Sequence, residues 1–182
     1  MSIVITSWLF LLIALIFTLV LTAAYYVKNK ADQDLKVIIC KGLFFLYVGI
    51  VISFTLLPIR IPGEIPCEFE YNLNPLSLVY IFYNRGLLVS AAENALLFMP
   101  ISILGCFAEM KSFRSIKTCL LTTLSFSVII ELIQGVEAYF EIAEGTMPIM
   151  DITDVILNTV GGVMGFLLFK FYRKQHNNLE AD

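Results

Sequence analysis

Apolar residues in this chain run in long blocks, broken by short clusters of polar and charged positions. Five blocks reach the roughly 20 residues that a helix needs to cross a hydrocarbon core of about 30 Å. They are Ile3 to Val27, Val37 to Leu57, Gly86 to Glu109, Ile116 to Glu137 and Ile149 to Tyr172. The first has no basic leader and no A-x-A-like cleavage site, and it is too long for a signal-peptide core, which predicts a retained helix. The second stops at Pro58, a residue type that ends helices. PLSLVYIFYN, Pro75 to Asn84, is apolar and aromatic but too short to span. It predicts a short interfacial or re-entrant helix, with Tyr80, Phe82 and Tyr83 at headgroup depth. Ahead of it, Pro62, Gly63 and Pro66 predict an extended start to the longest polar connection, Ile59 to Arg85.

Composition supports that pattern. The chain is 59% hydrophobic and 15% charged, where soluble domains carry about 25% charged residues. The formal net charge of −3 matters less than its distribution. Lys28, Lys30, Lys36 and Lys41 lie between the first two helices, Lys111, Arg114 and Lys117 between the third and fourth, and Lys170, Arg173 and Lys174 after the fifth. The other two loops hold only Arg60 and Arg85, beside Glu64, Glu68, Glu70, Glu141 and Glu144. By the positive-inside rule the N-terminus is expected outside and the C-terminus inside. The expected fold is therefore an all-α membrane protein, a bundle of five transmembrane helices. Residues 1–36 would form the first helix and a basic cytoplasmic loop, 37–175 the main transmembrane domain, and 176–182 a polar tail.

Candidate chemistry is narrow. The one histidine, His176, lies in the tail, which excludes a His-based dyad or zinc site. Cys40, Cys67, Cys106 and Cys119 form no C-x-x-C pair; three lie in or beside apolar runs, where packing is the expected role, and Cys67, in the outer loop, is expected to be incidental. Carboxylates are a different matter, because at membrane depth they are costly and apolar packing does not require them. On the fifth helix Asp151, Asp154 and Asn158 share a face that Gly161 and Gly165 continue, all within an arc of about 80°. The glycines make a G-x-x-x-G groove for close helix packing. On the fourth, Thr123, Ser127, Glu131 and Gln134 share a face too. Glu93 and Asn94 enter about 10 Å into the third helix. A polar pocket of Glu93, Asn94, Glu131, Gln134, Asp151, Asp154 and Asn158, toward the outer leaflet, is the expectation. Its plain alternative is a structural cluster in which these groups only join helices and Asp151 caps one.

The same residues carry a resemblance. TLLP (Thr55 to Pro58), NLNP (Asn72 to Pro75), ENALLFMP (Glu93 to Pro100), ELIQ (Glu131 to Gln134) and DITDVILNTVGG (Asp151 to Gly162) occur in that order. Together they resemble the VanZ-like family, named for a membrane protein associated with low-level teicoplanin resistance, over roughly Phe45 to Phe169. The resemblance marks Asn94, Phe98, Pro100, Glu131, Gln134, Asp151, Asp154, Asn158 and Gly161. Two positions depart from its pattern: Pro148 stands where an Arg is usual, and Ser102 where a Gly is common. The lost Arg removes an expected counter-charge from the acidic cluster.

Carboxylates with amide oxygens suit a divalent cation, and a crowded carboxylate pair suits a shared proton. No other cofactor is expected. The resemblance implies a protein of the bacterial cytoplasmic membrane that contributes to glycopeptide tolerance, and it supplies no catalytic mechanism. Expected partners are the bilayer and a lipid-linked envelope precursor or lipoglycopeptide, with no nucleic acid. A membrane enzyme acting on such a precursor, and a small transporter or scaffold, are the alternatives.

Overall fold

The computed structural model describes residues 3–29, 34–61, 71–83, 85–140, 142 and 150–179. The expected extended start at Pro62, Gly63 and Pro66 lies outside them, as do Cys67 and Pro148; so do the side chains of Arg60, Phe82 and Arg85.

Five long helices build the bundle: α1 (Ser7–Asn29), α2 (Leu35–Leu56), α4 (Arg85–Phe107), α5 (Ile116–Tyr139) and α6 (Ile152–Leu179). A short helix, α3 (Ser77–Tyr83), precedes α4 where PLSLVYIFYN predicts one. Five helices among the described residues are long and apolar enough to cross a membrane. Three of these starts are set by local caps. Thr6 accepts the Leu9 N–H ahead of α1, Asp34 accepts the Lys36 N–H ahead of α2, and Ser115 with Thr118 forms a reciprocal capping box on α5.

Two predicted helix starts move, both because short strands take the ends of apolar blocks. Strand β1 (Ile3–Ile5) pairs antiparallel with β2 (Ile59–Ile61), so α1 begins at Ser7 rather than Ile3. Strand β3 (Tyr71–Asn72) pairs parallel with β4 (Met150–Asp151), with Asn72 opposite Asp151. Helix α6 therefore begins at Ile152, and Asp151 precedes it instead of lying on its face. At the far end α6 runs on to Leu179, so much of the predicted polar tail is helical. Both strand pairs lie at one end of the bundle, which we term the strand-bearing end; the basic loops lie at the other.

Close packing centres on α6. A Cβ on Gly161 would collide with the backbone carbonyl of Ala95, one on Gly165 with that of Met99, and one on Gly162 with the Thr123 side chain. The two glycines of G-x-x-x-G thus press on α4, while Gly162 admits α5. Phe98, Ile101, Cys119, Ile130 and Phe166 fill the space between, joined by Phe44 and Val51 of α2. Pro100 lies inside α4, where it cannot donate to the preceding turn. The Tyr47 hydroxyl of α2 donates to the adjacent Leu97 carbonyl at 3.1 Å, tying α2 to α4 at that point. Helix α1 stands apart: its apolar side chains are largely exposed, and it touches α2 where Thr22 meets Gly42 and Ala14 meets Gly49. Such a surface suits lipid.

Candidate functional site

At the strand-bearing end the polar residues form a linked network. Asp151 is its hub. The side-chain amide of Asn72 donates to both of its carboxylate oxygens at 3.1 Å, and the Thr153 N–H donates to Oδ1 at 2.7 Å. The backbone N–H of Asp151 in turn donates to Glu131 Oε2 on α5, at 2.8 Å. Asp151 therefore caps α6 and also ties three elements together. Asn72 is held by its own surroundings: its amide donates to Ser77 Oγ at 2.9 Å, and its carbonyl accepts the Asn74 N–H at 3.2 Å. The NLNP turn is thus folded around the side chain that meets Asp151.

In the first turn of α6, Asp154 accepts a hydrogen bond from the Asn94 amide of α4. Deeper, Asn158 donates to Ser127 Oγ of α5 at 2.9 Å, where both residues are fully buried. Gln134 faces the other way and donates to the Thr55 carbonyl at 2.9 Å. That carbonyl is in the last turn of α2, where no further helical N–H is available to it. Glu93 joins none of these bonds and is exposed on α4. Successive helical residues point about 100° apart, so with Asn94 turned to α6 its neighbour points away.

A cavity of about 350 Å³ opens between α3 and the first turns of α4 and α6. Asp151 and Asp154 line it, with Asn72, Ser77, Tyr80 and Ser90. Of the seven expected pocket residues, only these two carboxylates reach it. Asn94, Glu131, Gln134 and Asn158 stand behind and hold the frame. Asn72 is the residue that composition and periodicity miss, since nothing in its spacing relates it to Asp151; only its place in NLNP marks it. Glu137 is also buried, with Oε1 unpartnered among the described residues, and no motif points to it.

Among the described residues no group of three or more His, Cys, Asp or Glu side chains gathers as metal ligands. Both oxygens of Asp151, Glu131 Oε2 and Asp154 Oδ1 accept from N–H donors. These neutral donors supply the compensation that a buried carboxylate requires.

The five sequence blocks that carry the family resemblance are bonded to one another. TLLP meets ELIQ through Gln134 and Thr55, and NLNP meets DITD through Asn72 and Asp151. ENALLFMP meets DITD through Asn94 and Asp154, and ELIQ meets DITD through Glu131 and Asp151. The VanZ/LLP1 family model matches residues 44–173, which takes in all of them. The chain belongs to the VanZ/LLP1 family. It is 29% identical over 147 residues to Protein VanZ of Enterococcus faecium, covering 80% of this chain and 82% of that protein. No solved structure matches the chain. Family membership and the five apolar helices make it a multi-pass membrane protein of the bacterial envelope.

The second departure from the family pattern has a local explanation. Ser102 is fully buried, its hydroxyl lies 3.3 Å from Cys119 Sγ, and that thiol donates to the Gly162 carbonyl at 3.7 Å. The hydroxyl that replaces a glycine's hydrogen is satisfied by the cysteine across the α4–α5 contact. Cys40, Cys106 and Cys119 are free thiols, and the latter two are buried, in keeping with a packing role.

Proposed function

We propose that this VanZ/LLP1 protein contributes to glycopeptide or lipoglycopeptide tolerance through an acidic pocket that faces the outside of the cell membrane. The observation that carries this reading is the cavity beside α3. It is walled by the family's own carboxylates, Asp151 and Asp154, and by the NLNP turn, at the end of the bundle that charge distribution assigns to the outside. A cavity with carboxylate, amide and hydroxyl walls beside Ile81 and Leu157 suits the head of an amphiphile, with its apolar part in the bilayer. The polar atoms facing a ligand are mostly acceptors and hydroxyls, so a donor-rich head, hydroxylated or aminated, fits better than a phosphate.

Expression in a glycopeptide-susceptible bacterium tests this. The protein should raise the teicoplanin concentration needed to stop growth, and Asp151→Ala should remove that protection while the protein still accumulates in the membrane. Unchanged susceptibility with and without the protein would refute the resistance role. An altered pool of lipid-linked envelope precursors, dependent on Asp154, would favour the enzymatic alternative.

A further inference from the structure

At the end of the bundle opposite the carboxylates, the turn between α4 and α5 packs against the last apolar turns of α6. Between them lies a cavity of about 200 Å³, lined by Arg114, Lys170 and Arg173 and floored by Phe113 and Phe169. Its shape is fixed by the chain. Helix α4 ends in a Schellman turn, in which the Met110 N–H bonds the Gly105 carbonyl and the Glu109 N–H bonds that of Cys106. Phe113 then folds over Gly105, where a Cβ would strike its ring, and this sets Arg114 facing α6.

Three cations here face one carboxylate, Glu109. Among the described residues none of the three is held in an ion pair. The Lys170 ammonium lies over the Phe166 ring, 5.5 Å from its centroid. This contrasts with the strand-bearing end, where Glu131, Asp151 and Asp154 already accept hydrogen bonds from donors within the protein. Next to the cations, Phe169 packs edge-on against Phe107 at 4.8 Å, and Phe107 is exposed on the bundle surface with Tyr172, whose ring lies 5.9 Å away. Unneutralised cations thus border an apolar surface at the edge of the membrane-spanning segment.

The structure assigns this cavity to the phosphate of an anionic glycerophospholipid. Arg114, Lys170 and Arg173 hold the phosphodiester, and the acyl chains run along the Phe107–Phe169 face. Arginine forks match phosphate oxygens, and basic pockets between membrane helices bind such headgroups. A free phosphate ion would use the same cations but would have no use for the adjoining apolar face.

Native mass spectrometry of the full chain, purified in detergent and given equal amounts of phosphatidylglycerol and phosphatidylcholine, tests the assignment. Phosphatidylglycerol should be retained in preference. Arg114→Gln combined with Arg173→Gln should lower its retention by about fivefold for each charge removed. Lys28→Gln combined with Lys36→Gln, which removes two cations from the same end but away from the cavity, should leave retention unchanged. Should the double arginine variant fail to insert, Lys170→Gln alone decides, with a single fivefold loss expected. Equal retention of the two lipids, an equal loss in the Lys28/Lys36 control, or displacement of the lipid by inorganic phosphate that also binds without lipid would overturn the assignment.

Discussion

The α4–α6 seam has two halves built from the same two helices. In one, Gly161 and Gly165 bring α6 against the backbone of Ala95 and Met99, with no room for a side chain. In the other, Asn94 reaches Asp154 through side chains alone, and the seam opens into a cavity. Apolar solvent provides little drive to join helices, so close backbone approach and hydrogen bonds must do so. The glycine half meets that need without charge. Carboxylates in the other half are therefore more than assembly requires, and this separates a packing region from the candidate site.

Substitutions can break that division, beginning with the largest effect. Gly161→Val would place a branched side chain into the Ala95 carbonyl and should destabilise the bundle by on the order of 3 kcal/mol. Loss of the monodisperse peak on size-exclusion chromatography in detergent would show it. Glu131→Ala leaves the part-buried Asp151 N–H without its acceptor, and a loss of about 1–3 kcal/mol is expected by thermal melting. A Glu131→Gln variant keeps an acceptor for that N–H and should recover most of the loss.

Ser102→Ala tests the satisfied hydroxyl between α4 and α5. It should cost no more than about 1 kcal/mol, because the Cys119 thiol keeps the Gly162 carbonyl. The smallest effect has the opposite sign. Glu109 holds a left-handed backbone, φ 54°, at the end of α4. Glu109→Gly should therefore raise the melting temperature, by an amount equivalent to roughly 1 kcal/mol. A fall would show that the carboxylate contributes more at the basic end than its backbone strain costs.

The helices were legible because length and apolarity alone specify a membrane span, and two polar stripes, with Glu93 and Asn94, directed the candidate polar residues toward one end of the bundle. Three features were not. The short strands depend on partners far along the chain, Ile3–Ile5 with Ile59–Ile61 and Asn72 with Asp151, so helical periodicity ran through them. Asp151 keeps helical spacing with Asp154 and Asn158, yet it lies outside α6, because its carboxylate accepts the Thr153 N–H and its own N–H goes to Glu131. Glu93 and Asn94 are adjacent in sequence, and only packing against α6 decides which of them turns inward. The motif blocks did point to the network, since each contributes a partner to it, but pairing between blocks is a tertiary fact.

The claim that the polar half of the seam is functional, and not simply a second means of assembly, is most directly tested by Asp154→Asn. That change keeps an acceptor for Asn94 and the shape of the side chain while removing the charge. Teicoplanin susceptibility should be measured beside membrane abundance and melting temperature in a host expressing each form. The expected result is normal abundance, melting within about 1 kcal/mol of the parent, and loss of protection. Full protection by a normally folded Asp154→Asn protein would contradict the account and leave the carboxylate as helix glue.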